Sequence, residues 1–134
     1  MPKFSFSSIE KLKTCHPWLQ DICNEIIKHF DCTIVYGHRN KVQQTIAFQE
    51  NKSKVEWPNS KHNKTPSLAV DVAPYLNGKI SWNTYHCLYL AGMIMGIAKM
   101  MGIKIRYGGD WNCNNEPITD QTFQDLVHFE IIKE

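Results

Sequence analysis

Hydrophobic positions change their spacing several times along the chain, and each change marks an element. Leu19, Ile22, Cys23, Ile26 and Phe30 recur at intervals of three and four, the apolar stripe of a helix that begins at Trp18 and ends near Asp31. Ahead of it, "SSIE" sets Ser7 and Glu10 at capping-box spacing and predicts a short first helix that His16-Pro17 interrupts. "CTIVYG" is rich in β-branched residues and closed by a glycine, which predicts a strand. "NKVQQTIAFQE" behind it reads as a helix, leaving His38 and Arg39 at the junction.

The long polar run "NKSKVEWPNSKHNKTPS" is a loop, and "LAVDVAPY" after it alternates as a strand does. Leu68, Val70 and Val72 take one face; Ala69, Asp71 and Ala73 take the other. "LNGKISW" carries an Asn-Gly hairpin signal. "NTYHCLYLAGMIMGIAKMMG" predicts a largely buried helix stopped by Gly102, with Gly92 and Gly96 spaced for close helix packing. "IKIRYGG" is another strand. After the loop "DWNCNNEPITDQTF", "LVHFEII" predicts a last one, with Leu126, His128, Glu130 and Ile132 on one face. This order predicts an α+β domain, a small, mostly antiparallel sheet with helices packed against it, and argues against a doubly wound parallel sheet.

A length of 134 residues suits a single domain over 1–134. Hydrophobic residues at 43% and charged residues at 21% are ordinary globular usage, with no repeat or low-complexity tract. The net charge of +2 is not gathered into a basic block, so nucleic acid is not an expected partner. Nor is there a glycine-rich phosphate loop. Five cysteines without a CxxC pair argue against a disulfide framework or a structural zinc knuckle, and for a reduced compartment. "MPKFSFSSIEKLK" lacks the apolar core of a secretory signal. The most apolar stretch, residues 87–98, has 12 residues, against the roughly 20 of a spanning helix.

The residue that demands an explanation is Asp71. An unpaired carboxylate buried on a strand costs about 3–5 kcal/mol, so it needs a partner. Ala69 and Ala73 beside it predict open space on that face. The residues alone leave two readings. Asp71 is held by an arginine or by backbone amides, or it binds a metal together with His62 in the preceding loop and His128 on the last strand. Two imidazoles and a carboxylate form a set that catalytic zinc uses, with a fourth position for water or substrate. Glu130 shares a strand face with His128 and reads as its support or as a surface charge. Trp111 and Asn112 read as cleft lining or as cover for the core edge, and Asp110 as a turn former. His16, His29, His38 and His86 read as surface or capping residues, and Trp18, Trp57 and Trp82 as core or loop anchors. A thiol mechanism at Cys113 lacks an activating base.

"SKH" followed by "AVDVAPY", then "GGDWN", then "DLVHFEI" resembles the M15 metallopeptidases of the D-Ala-D-Ala peptidase and Hedgehog-like zinc fold. Within that group the resemblance is to the short phage L-alanyl-D-glutamate endopeptidases of the T5 type. It spans residues 33–132 and extends to "LNGKISWN" and "RYGGDWN". The resemblance implies that S-x-H, A-x-D and D-x-x-H supply His62, Asp71 and His128 as ligands of one catalytic Zn2+, with Asp125 as general base. The G-x-R pattern implies Arg39 for the oxyanion or for a substrate carboxylate or carbonyl. Gln43, four positions on, joins Trp111 and Asn112 as substrate contacts. One departure stands out: "NKTPSLAV" puts eight residues between His62 and Asp71, longer than the family's usual segment and without its glycine.

The function so implied is that of a phage endolysin, a zinc endopeptidase cutting the L-Ala–D-Glu bond of peptidoglycan stem peptides. Such a protein is made in the host cytoplasm without a signal peptide and reaches the wall after a holin opens the membrane. It is expected as a monomer whose partner is peptidoglycan, without nucleic acid and without stable membrane insertion. The alternatives are a D-Ala-D-Ala carboxypeptidase or dipeptidase with the same metal site, and a non-catalytic zinc-containing binding module of the Hedgehog-like kind.

Overall fold

The computed structural model describes residues 2–119, 121 and 123–132. Helix α1 (Phe6–Leu12) is capped by Ser5, whose side chain accepts from the Ser8 amide; the predicted cap at Ser7 lies inside the helix. The register follows from Ser8, which is buried and pairs its hydroxyl with Thr33 at 2.9 Å while accepting from the Ile34 amide at 3.0 Å. Helix α2 (Pro17–Ile26) starts on a proline, which needs no amide hydrogen there, and is capped by His16, whose Nδ1 accepts from the Trp18 amide at 3.1 Å. Leu19, Ile22, Cys23 and Ile26 are buried as their spacing predicts, each contributing about 1.5–3 kcal/mol if large and aliphatic. The helix ends at Ile26, and residues 27–30 form turns that bring Phe30 against the core, so the stripe outlasts the helix.

Strands β1 (Cys32–Tyr36), β2 (Ala69–Leu76), β3 (Lys79–Ile80), β4 (Ile105–Tyr107) and β5 (His128–Ile131) pair antiparallel throughout. The order across the sheet is β1-β2-β5-β4, with β3 folded back onto β2. The β2–β3 turn is Asn77-Gly78, with φ of +54° and +79°, the left-handed pair that such a hairpin requires. Helix α3 (Lys41–Gln49) opens with a capping box between Asn40 and Gln43. Helix α4 (Thr84–Met101) ends at Gly102 with φ of +73°.

Three expectations change. Helix α4 is buried on one side only: Cys87, Leu90, Ala91, Ile94 and Ala98 face inward, while Tyr85, Tyr89 and Met100 are exposed. Gly92 and Gly96 lie on its exposed side, with nothing within 4 Å of where a Cβ would stand, so they serve no close helix contact among the described residues. A helix that is apolar nearly all round offers no stripe to tell its packed face from its free one. The last strand begins at His128, because residues 126 and 127 form a turn, so Leu126 does not share its ladder. The core lies on one face of the sheet, where Val70, Val72, Phe129 and Ile131 pack with α2 and α4. Among the described residues no helix is long and apolar enough to cross a membrane.

Candidate active site

The opposite face of the same strands carries the charged groups. Asp71 on β2 is paired directly across the ladder with His128 on β5, and Glu130 on β5 with Arg106 on β4. Directly opposed residues stand close enough for their side chains to touch. His62 reaches this row from a 3-10 turn (Lys61–Asn63) that Ser60 caps, its Oγ accepting from the His62 amide at 3.1 Å. The S-x-H spacing is therefore that of a capped turn.

The D-x-x-H spacing is also a turn. The His128 amide donates to the Asp125 carbonyl at 3.1 Å, which leaves Asp125 Oδ2 4.0 Å from His128 Nδ1. Gly108 makes room for it: a Cβ there would collide with the Asp125 carbonyl oxygen. Gly37 plays the same part on the other side, where a Cβ would strike the Lys11 carbonyl and the Thr14 hydroxyl.

Three donor atoms meet at one point. His62 Nε2 lies 3.0 Å from Asp71 Oδ1 and 3.2 Å from His128 Nδ1, and that Nδ1 lies 3.2 Å from Asp71 Oδ1. The outer ring nitrogens fix the tautomers. His62 Nδ1–H donates to the Gly37 carbonyl at 2.7 Å, and His128 Nε2–H donates to Glu130 Oε1 at 2.8 Å. The inner nitrogen of each ring thus faces the carboxylate oxygen, and the three atoms are reconciled by a proton on an imidazole or by a positive ion between them. Ligand atoms of a tetrahedral zinc, at about 2.0–2.2 Å from the ion, lie roughly 3.3–3.5 Å apart, close to the spacing of this triangle. The three residues form a buried group able to hold a metal ion.

The eight-residue segment before Asp71 does not prevent this closure. Its extra length is anchored on the α1–α2 link, where the Ser67 amide donates to Thr14 and the His16 amide donates to Ser67, both at 2.9 Å. Ala69 and Ala73 do not border open space; both are fully buried, Ala73 against Cys87 and Val127. The opening lies instead along the 53–62 loop, a cavity of about 310 Å³ walled by Lys54, His62, Arg106, Trp111, Phe123, Asp125 and His128.

Electrostatics match the geometry. Burial opposes ionisation of Asp71, yet the His62 charge and hydrogen bonds to both imidazoles hold its carboxyl well below the usual range. Burial pushes His62 down. Burial also pulls down on His128, but its bonds to Asp71 and Glu130 prevail and carry it up to about 9. Burial and the neighbouring Asp71 charge push Asp125 up to about 7. Glu130 resists burial through its bond to His128 and the charges of Arg106 and Lys61, and sits at about 2.

A model of the phage L-alanyl-D-glutamate peptidase family matches residues 1–132. The chain belongs to this family. It is 34% identical over 117 residues to the L-alanyl-D-glutamate peptidase of Escherichia phage T5, spanning 85% of each chain. Its fold is that of the Serratia marcescens L-Ala D-Glu endopeptidase ChiX, with a TM-score of 0.75 at 22% identity over 96% of this chain and 90% of that one.

Against this family frame, the expected residues fall into three groups. His62, Asp71, His128 and Asp125 come together, and Trp111 stands beside them, its ring 5.5 Å from that of His128. Arg39 is buried behind the triad, where its Nη2 donates to Asp71 Oδ2 at 3.1 Å. One Asp71 oxygen therefore faces the imidazoles and the other the arginine that one reading expected. Gln43 and Asn112 are not brought to the triad. The Gln43 side chain is exposed and caps α3, and Asn112 is exposed in its loop, with Oδ1 accepting from the Asn114 amide.

Sequence reasoning passed over Gln44, which is fully buried. Its amide donates to Ser53 Oγ and the Val55 carbonyl, while its oxygen accepts from Arg39 and Asn63. It also left Glu130 undecided, although the alternation that placed Glu130 beside His128 was the right signal. Asp110 is the turn former expected of it, accepting from the Asn114 and Asn115 amides.

Proposed function

We propose that this protein is a zinc-dependent endopeptidase that hydrolyses the L-Ala–D-Glu bond of peptidoglycan stem peptides and serves as a phage endolysin. The observation that carries this reading is the triangle of His62, Asp71 and His128 opening into a cleft beside Asp125, in a chain of the phage L-alanyl-D-glutamate peptidase family. Zinc, when bound by the three residues, supplies a Lewis acid that polarises the scissile carbonyl and acidifies water. Asp125 takes the proton from the attacking water and returns it to the leaving amine of D-Glu. Burial raises its carboxyl above the ordinary carboxylate range, which makes it a stronger proton acceptor than an exposed aspartate. Arg39 acts through Asp71, fixing its outer oxygen so that Oδ1 stays turned to the imidazoles. Trp111 forms one wall of the cleft. Neither Gln43 nor Asn112 is assigned a substrate contact. The enzyme would act as a monomer and reach the wall from the host cytoplasm through a membrane already opened by a holin.

The test is mass spectrometry of purified peptidoglycan digested with and without a chelator. New N-terminal D-Glu that disappears on chelation and returns with zinc is the expected product. Release of D-Ala alone would establish a carboxypeptidase instead. Asp125→Ala should keep the metal and lose about 10²- to 10⁴-fold in rate; normal lysis by that variant would remove Asp125 from the base role.

A further inference from the structure

The cleft beside the triad is lined by four cations, Arg39, Lys54, Lys61 and Arg106. Three are already engaged: Arg39 with Asp71 at 3.1 Å, and Lys61 and Arg106 with Glu130 at 3.3 and 2.8 Å. Of the four, Lys54 alone has no carboxylate partner among the described residues; its Nζ stands over the Phe123 ring, 5.3 Å from the centroid. Its backbone is held from beneath, because Gln44 binds the residues on either side of it, Ser53 through Oγ and Val55 through the carbonyl. The backbone there is thus fixed, and among the described residues the ammonium meets an aromatic ring and no carboxylate.

The chemistry of the substrate supplies a matching anion. D-Glu of a stem peptide is joined onward through its γ-carboxyl, so its α-carboxylate remains free, three bonds from the scissile carbonyl carbon. Any group that reads this carboxylate must overhang the chamber that also holds the triad and Asp125, and Lys54 lines that chamber. Phe123 and Trp111, stacked with their planes 12° apart, form an apolar wall beside it, which strengthens an ion pair relative to open water. The opening on the far side of Asp125, about 580 Å³ between Tyr36, Trp82 and Gln124, has Lys52 on its rim, but that lysine is paired with Glu50 at 3.2 Å.

We infer that Lys54 is a specificity-determining residue that binds the α-carboxylate of D-Glu, so that the Lys54–Phe123–Trp111 chamber receives the leaving side of the scissile bond. The inference rests on the L-Ala–D-Glu reading of the site. It is tested with two synthetic peptides, L-Ala-γ-D-Glu-L-Lys and its α-carboxamide, cleaved by the zinc-loaded protein and by K54M and K54R. The wild type should favour the carboxylate peptide about tenfold in kcat/KM. K54M should erase that preference by slowing the carboxylate peptide alone, and K54R should restore most of it. Lys54 is exposed, so the thermal midpoint should not move. If K54M slows both peptides equally, or leaves the preference intact, the inference is overturned while the cleavage assignment stands. If the wild type cuts neither peptide between L-Ala and D-Glu, the cleavage assignment fails and takes the inference with it.

Discussion

The β2–β5 ladder shows two ways of using one two-residue period. On its inner face, Val70 and Phe129 are cross-strand partners, and with Val72 and Ile131 they pack among α2 and α4. On its outer face, Asp71 opposes His128, and Glu130 opposes Arg106. The inner face is stable because apolar area leaves water, a gain that depends on neither pH nor ligands. The outer face is stable only while each buried charge is answered: Asp71 by Arg39, His128 by Glu130, Glu130 by Arg106 and Lys61. Its last requirement, a positive centre among three converging donors, must be met by a proton or a metal. One side of the sheet is therefore unconditional scaffold, and the other is a conditional site resting on it.

The strongest blow to the scaffold is Phe129→Ala. Phe129 is buried and stacked on Tyr107 at 5.1 Å, so its loss should cost about 3–5 kcal/mol in urea unfolding. If the faces are independent, the cost is the same in zinc-loaded and chelated protein. A difference well above about 0.5 kcal/mol between the two would show them to be coupled.

Chelation should expose the conditional face through pH. His128, raised to about 9, and Asp125, raised to about 7, hold protons more tightly folded than unfolded. Their contribution is complete below the unfolded values and is lost as pH climbs through about 7 and then about 9. Glu130, lowered to about 2, and Asp71, also lowered, act in the opposite sense: their contribution is present above the ordinary carboxylate range and lost as pH falls. Chelated protein should be most stable in mild acid and lose on the order of a few kcal/mol toward pH 9. Zinc-loaded protein should lack the His128 part of that decline, since a bound ion takes the place of its inner proton. Thermal midpoints across this pH range, with and without chelator, check it, and a flat profile in the chelated protein would refute it.

The legible parts were those with a short-range cause. The alternation of β2, the stripe of α2, the Asn77-Gly78 hairpin and the Gly102 stop each come from local geometry, and each is found where its residues place it. The group of His62, Asp71 and His128 was legible through its resemblance to the M15 motifs, whose S-x-H and D-x-x-H spacings are turns in this structure. What stayed hidden depends on which side of an element another segment covers. Gln43 and Gln44 are adjacent on α3, and only packing against the 53–55 loop turns Gln44 inward. Gly92 and Gly96 suited a helix contact that no described segment provides. That an arginine holds Asp71 was one of the two readings, but which arginine was not legible, because Arg39 lies 32 positions away and across the β1–β2 ladder.

The smallest effect tests whether the outer face is one network or a triad with neighbours. Glu130→Gln keeps an oxygen that can accept from His128 Nε2, but removes the charge shared with Arg106 and Lys61. Loss of a charged partner behind a metal-ligating histidine weakens metal binding by about 10- to 100-fold. The imidazole becomes less basic, and its ring is held less firmly. Competition against a chromophoric chelator should show that weakening in Glu130→Gln while urea unfolding of the inner face stays close to wild type. An unchanged zinc affinity would mean that the hydrogen bond alone orients His128, and that Arg106 and Lys61 serve only to neutralise Glu130.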